Sequence, residues 1–417
     1  NLRIGTGARA AQVTRVTNPY IDKQIQREGM TQGYIDSRAD GLTRVEQVFN
    51  EQNTKGINQY VTDFFNAFRE LSNNPESLTS RTMVRETGEA MVTDFHRVHD
   101  QLTGIQGDIN TQVKAHVEQI NQFTKEIASL NEKIQAIEMQ GVPSNDERDR
   151  RDLLLKKLNE KINISVAESK DGLVSITAGQ GAILVSGLSS MELKALKLPD
   201  QDKYNIFYSN SENTIQTDVT KQLKGGQVGG ALSIRDEVIE GLLSNMDEMA
   251  YTLADRVNEA HIEGFDRNGR EGAEFFAPMN DSKDASKNLK VSFDILNDVS
   301  KICAGVHPNA PGDNTVANII SGLQYKPIMS DGEATIDDFY SANVGQVGIL
   351  AQRAIKSQEA QKNIVAQLDK IRESISGVSL DEETTKMIEF QKAYDASARM
   401  IKTADEMLDT VLNLKRM

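Results

Sequence analysis

Histidine and cysteine are the scarcest of the chemistry-bearing residues, with five His and one Cys in 417 residues. His96 and His99 lie one helical turn apart between Asp94 and Asp100, residue types that a divalent metal accepts as ligands. On a helix, however, Phe95 and Val98 take the apolar stripe and leave both histidines on the polar side. The pattern therefore predicts no metal residues. There is no His-Glu-x-x-His sequence, and Cys303 alone can form neither an intrachain disulfide nor a thiolate-rich zinc site. Its neighbour His307 sits in a loop-like stretch, and no nucleophile, base and orienting acid assemble from the spacing. Gly5-Thr6-Gly7-Ala8-Arg9-Ala10 carries the letters of a dinucleotide loop, which needs a strand before it and a helix directly after it. Only four residues precede Gly5, and Asn18-Pro19 interrupts the segment on its C-terminal side. The run Gly225 to Gly230 could hold an anion at the start of the next helix. Without the Lys-Ser/Thr ending of a phosphate loop it reads as a flexible connection between domains. The prediction is no catalytic, cofactor-binding or metal-binding residue, and no cofactor.

Composition points the same way. With 47 Lys plus Arg against 61 Asp plus Glu, the chain carries a formal charge of −14. Duplex nucleic acid and anionic membrane surfaces both reward a basic face, so neither is an expected partner. Apolar residues make up 38%, aromatic ones 5%, and Trp is absent, which favours thin helical packing. No run of 18 apolar residues occurs, and the first residues do not form a signal peptide. A start at Asn1 without an initiator Met suggests that the natural N-terminus has been removed.

The elements that would position these residues come from periodicity. Ile57, Val61, Phe64, Phe68 and Leu71 step by four and three along one helix face, and Asn74-Pro75 stops them. A near-heptad run from Met91 through Val113 to Ile137 predicts a helix over 91–139, ~70 Å long at 1.5 Å per residue. Gly104 and Gly107 weaken it locally, and Gly141-Val142-Pro143 ends it. A short charged helix over 146–162 folds back on it. Ile164 and Val166 alternate with polar residues, and Asp171-Gly172 is a hairpin-type turn before Leu173, Val174 and Ile176. Residues 182–185 and 204–208 are similar. Val238, Leu242, Met246, Met249, Leu253 and Val257 mark another helix, and residues 264–327 predict loops and short elements.

The C-terminal third is helical again. Val344, Val347, Ala351, Ala354, Val365 and Leu368 hold one heptad register with Gln358 and Gln361 in two seam positions, polar layers that set register. Gly377 ends that helix, and Ser379 with Glu382 fits a capping box that opens the last one. There one seam runs Met387, Phe390, Tyr394, Ser397, Ile401, Ala404, Leu408, Val411, flanked by Ala393, Met400, Met407 and Leu414. Two adjacent stripes call for burial over a wide arc, more than one partner helix supplies.

The fold class expected is mainly α with a smaller β part (α+β): an elongated rod of long antiparallel, coiled-coil-like helices, a small β-rich domain and a C-terminal helix. The expected division is 1–163 for the N-terminal part of the helical rod, 164–226 for the β-rich segment and 227–263 for a central helix. Residues 264–330 form a loop-rich, β-containing segment, 331–377 the C-terminal part of the rod, and 378–417 the terminal coiled-coil helix. The helices over 91–139 and 344–375 are expected to pack antiparallel, since neither buries its stripe alone.

Four passages resemble the hook-associated protein 1 family of bacterial flagella, the hook–filament junction proteins. They are Asp63-Phe64-Phe65-Asn66 with Ser72-Asn73-Asn74-Pro75; Asn145-Asp146, Asp149, Arg151-Asp152, Leu154-Leu155 and Leu158; Gly225-Gly226 to Leu232 with Arg235-Asp236, Leu253-Ala254, Asn258, Gly264 and Phe275-Phe276; and Leu380 to Asp409. The last is shared with hook and rod proteins, and the middle two are more specific. The resemblance implies a non-enzymatic, extracellular flagellar protein, exported unfolded by the flagellar secretion system. It implies a ring of copies as one partner, with the hook protein, hook-associated protein 3 (the second junction protein) and an export chaperone on the C-terminal helix as others. The family's N-terminal helix should precede Gly5, and the middle is short enough that an outer β domain is missing. The last helix becomes an inner-tube helix, with Met387, Phe390, Tyr394, Met400, Ile401, Ala404, Met407, Leu408, Val411 and Leu414 as its assembly interface. Free of partners, the segment after Ser379 is expected to be disordered, self-associated or chaperone-bound. The competing expectations are another flagellar axial protein of hook or rod type, and a nucleotide- or metal-binding enzyme.

Overall fold

The computed structural model describes residues 18–50, 55–198, 203–209, 216–377 and 380–414. Gly5 to Ala10 and Ser379 lie outside the described residues. The chain divides into two compact units, one of residues 26–362 and one made from residues up to 25 together with those from 363 onward. The fold is mainly α with two small antiparallel sheets.

The first helix, α1 (Pro19–Val48), is the element that apolar periodicity does not reveal. Asn18-Pro19, expected to interrupt the chain, is a helix start: the Asn18 side-chain carbonyl accepts the Tyr20 N–H at 3.1 Å, and Pro19 takes the position where a missing N–H costs nothing. Its buried face steps through Gly29 and Gly33 to Gly41, Leu42, Val45 and Val48. Glycine replaces the apolar residues that would have marked a stripe. The reason lies across the contact, where a Cβ on Gly33 would stand 2.2 Å from the carbonyl oxygen of Glu160, and one on Gly230 2.4 Å from that of Tyr34. Gly225 to Gly230 is thus not a flexible connection. Short α5 (Gly226–Ser233) begins inside the run, and its glycines let it approach α1 and the end of α4 (Asn145–Lys161).

Helix α2 (Ile57–Asn73) packs its aromatic face on α3 (Leu78–Glu138), which starts earlier than the heptads indicate and is capped by Ser77 accepting from the Ser80 N–H. Phe64, Phe65 and Phe68 meet Phe275 and Phe276 in a ring cluster with centroids 4.9 to 5.8 Å apart, so five of the thirteen phenylalanines meet at one joint. Such edge and tilted pairs add to what their burial contributes.

Strands β1 (Ile164–Glu168), β2 (Val174–Ala178), β3 (Ala182–Ser186) and β4 (Ser189–Ser190) form one sheet in that order. Strands β5 (Glu192–Lys197), β6 (Tyr204–Ser209) and β7 (Gln216–Asp218) form the second. Three asparagines on α3 hold both sheets. Asn131 accepts the Val174 N–H at 3.3 Å and donates to the Val174 and Gly187 carbonyls at 2.8 and 2.7 Å. Asn121 does the same for both backbone groups of Leu193, and Asn110 accepts the Tyr204 N–H. Each amide substitutes for a neighbouring strand.

A π turn over Ile234–Ile239 leads into α6 (Glu240–Ile262). The extra residue of that turn spaces the buried Ile234 and Ile239 five apart, so the stripe predicted to begin at Val238 begins at Ile239. Residues 264–335 hold short helices α7 (Ala285–Asn288), α8 (Phe293–Asn297) and α9 (Thr315–Gly322) among loops.

Helix α10 (Ile336–Ser376) keeps the predicted seam, with Val347, Ala351, Gln361 and Leu368 buried. Its bonded partner is α1, not the 91–139 helix. Gln358 donates to Asp36 at 2.8 Å, and Gln361 donates to the Glu28 carbonyl and carboxylate at 3.1 and 2.6 Å, so the two polar layers are satisfied across an antiparallel pair. The expected pairing with 91–139 is corrected accordingly. The heptad pattern alone does not reveal α1, whose buried face is interrupted by glycines, so from sequence the 91–139 helix is the one long helix α10 could face. In the unit that combines the two chain ends, Ile21, Ile25 and Leu368 make a small cluster, and α11 (Leu380–Leu414) comes after α10 in the chain.

Candidate assembly surface

Helix α11 carries apolar residues at every third or fourth position without covering them. Met387, Phe390, Tyr394, Met400, Ile401, Met407, Leu408 and Val411 are 59 to 75% exposed, and Ala404 is exposed with them. The side chain of Leu414 lies outside the described residues. Hydroxyls of Ser397, Thr403 and Thr410 donate to carbonyls four residues back, so these polar groups are satisfied within the helix. Burying each large side chain is worth about 1.5 to 3 kcal/mol, which makes the face a strong driving force for association. Sequence reasoning missed Ile388 and Leu412, which widen the arc, and Ile364, Ile371 and Ile375 on α10, exposed at 41 to 46% with seven- and four-residue steps. The heptad step was the available signal.

Elsewhere the chemistry-bearing residues are joined to structure. His96 donates from Nε2 to the Leu289 carbonyl at 2.9 Å, and His99 Nδ1 lies 3.1 Å from Ser286 Oγ. Ser286 in turn donates to Asp247, so the hydrogen between His99 and Ser286 comes from the imidazole. His, Ser and Asp therefore meet in an order unsuited to activating a nucleophile, because the carboxylate takes the hydroxyl proton while Ser286 is fully buried. The expectation that both histidines lie on a solvated side is corrected: His99 is buried against α7. Among the described residues no three His, Cys, Asp or Glu side chains are placed to hold a metal ion.

Buried charges show the same use. Arg151, 2% exposed, donates to Asn131, the Gly172 carbonyl and Glu168 at 3.1, 2.6 and 3.2 Å, tying α4 to α3 and the β1–β2 turn. Hydrogen bonds from Arg148, helped by Ser144, hold Glu138 down at about 2. Burial, reinforced by Lys161, lowers His116 to about 4. No described helix is long and apolar enough to cross a membrane.

Residues 42–276 match the family model of the flagellar hook-associated protein FlgK helical domain, and residues 373–414 that of the flagellar basal body rod FlgEFG protein C-terminal. The chain is 29% identical to flagellar hook-associated protein 1 of Bacillus subtilis over 99% of its length and 86% of the relative's. It is 24% identical to that of Escherichia coli over 99% and 90%. The solved structure of the flagellar hook junction protein FlgK from Burkholderia pseudomallei superposes with a TM-score of 0.78 at 14% identity, covering 85% of this chain and all of that one, a likeness of fold. An α3 that clamps two small sheets, an α2 locked by its phenylalanines and a terminal helix with an uncovered apolar face are accordingly the parts of a flagellar structural protein, and the chain belongs to the flagellar hook-associated protein FlgK family.

Proposed function

We propose that this chain is a structural component of the bacterial flagellum at the hook–filament junction, working outside the cell without catalysis. Its task is mechanical. Residues 26–362 supply a stiff helical body, and α11 supplies adhesive surface that neighbouring copies, and an N-terminal helix of the kind the family has, cover within a tubular ring. The observation that carries this reading is the set of ten large apolar side chains left open among the described residues of α11. The hook protein and the second junction protein are the neighbours it joins at either end, and an export chaperone covers α11 before assembly. The C-terminal match at 373–414 is to a rod-protein family model, so it is the 42–276 match that favours a junction protein over a hook or rod protein.

The test is complementation of a motile bacterium deprived of its own junction protein. The natural full-length protein is expected to restore attached filaments. Ile401→Asp with Leu408→Asp is expected to abolish attachment, releasing filament subunits into the medium, while thermal melting of residues 26–362 is unchanged. Attached filaments with the double variant would sink the assigned role of α11.

A further inference from the structure

Three of the five histidines lie on one seam, between the long helices and residues 264–305. His96 and His99 each present an N–H to an acceptor, bonds that survive protonation of the ring. His261 is wired differently. At the end of α6, 0% exposed, its Nδ1 donates to the Ala273 carbonyl at 2.5 Å, and its Nε2 accepts the Cys303 N–H at 2.9 Å. Those two backbone groups, from two loop segments thirty residues apart in the chain, fix a neutral ring with one tautomer. A proton on Nε2 would confront an N–H donor. The surrounding charges do not help it: the Arg81 guanidinium from α3 repels it, and Arg267 stands in the same neighbourhood. Asp266 already accepts the Asn268 and Arg270 N–H groups, the Cys303 thiol is pushed up to about 12 by burial, and the Phe275 ring lies edge-on.

We propose that His261 is an acid-operated latch: a proton taken up at Nε2 breaks its bond to Cys303 and lets residues 264–305 open from α6 while the long helices stay folded. Burial lowers the His261 pKa to about 4 from 6.5. Above 6.5 both closed and open forms are neutral and closure is fully stabilised. As pH falls from 6.5 towards 4 only the open form binds the proton, so closure weakens, and the opening constant rises on the order of a hundredfold across that window. This device is separate from the junction role and does not depend on it.

Cys303, the chain's single cysteine, is fully buried beside the latch and reports on it directly. The experiment tracks modification of the full chain by a pyridyl disulfide as pH is lowered through the window, each rate divided by that of the urea-unfolded chain at the same pH. The normalised rate is expected to climb on the order of a hundredfold with far-UV helicity constant. His261→Gln, which cannot titrate, is expected to flatten the climb. An unchanging rate, a helicity loss at the same pH, or an equal climb in the variant overturns the proposal. Where that variant fails to fold, the ring nitrogens of His261 in the unaltered protein decide by NMR. The Nδ1–H tautomer at neutral pH, kept by the closed chain towards pH 4 while the thiol rate climbs, supports the latch; a different tautomer, or a closed chain whose ring is already imidazolium near pH 6.5, overturns it.

Discussion

Asn131 makes three hydrogen bonds to two strand segments and accepts a fourth from Arg151, all from a side chain that is 0% exposed. Replacing it with Ala leaves a buried backbone N–H, two carbonyls and a guanidinium short of partners. An unmet buried group costs about 1 to 3 kcal/mol, and some of these find water, so Asn131→Ala is expected to destabilise by about 2 to 4 kcal/mol in urea unfolding. Asn121→Ala, at a half-buried position, is expected to cost about 1 kcal/mol. No measurable cost at either site would show that the amides do not act as strand substitutes. Nothing in the local sequence distinguishes these asparagines from those on a solvated helix face, since their meaning comes from strands some 43 to 72 residues away.

At the scale of elements, the helix interiors contain glycines of opposite kinds. Gly33 sits where α1 crosses the end of α4, and its added Cβ would overlap the Glu160 carbonyl. Gly104, in the exposed middle of α3, has no atom within 4 Å of such a Cβ. Gly104→Ala is therefore expected to stabilise by about 1 kcal/mol through helix propensity. Gly33→Ala is expected to destabilise by about 2 kcal/mol or more, because backbone on both sides must move. Thermal melting of the two variants checks both signs, and a stabilising Gly33→Ala would mean the helices do not approach this closely. The pair also explains why α3 was legible and α1 was not. Heptads of Ile, Val and Leu reveal a helix through what it buries, whereas in α1 glycines interrupt the apolar stripe between Ile25 and Leu42.

For the whole molecule, stability should divide along the two units. Residues 26–362 enclose the large core, from Leu42 through the phenylalanine cluster to Ala351. The other unit has Ile21, Ile25 and Leu368 as its cluster, and α11 is exposed along its length. In hydrogen exchange on the dilute chain, amides of Met387 to Val411 are expected to exchange with little protection while those of α2 and α3 approach the global limit. Adding a partner that covers the face should slow them. Strong protection in the isolated chain would place the stabilisation of α11 within its own unit.

The amino-acid sequence by itself determined the helical nature of α2, α3, α6, α10 and α11, the hairpin at Asp171-Gly172, and the surplus apolar arc of α11. The helices rest on apolar periodicity, which a helix imposes on its own residues whatever the partner is, and the hairpin on its turn residues. Family membership was equally legible, because motifs such as Asp63-Phe64-Phe65-Asn66 and Asn145 to Leu158 are local strings. Tertiary structure alone decided that α10 bonds to α1, that the Gly225 run is a close crossing, that α3 asparagines complete the sheets, and that His261 joins two loops through opposite ring nitrogens. In every one of those cases the residue is small or polar, and its free energy depends on which distant backbone group the fold brings within 3 Å or so, a distance over which hydrogen bonding and steric overlap change sharply.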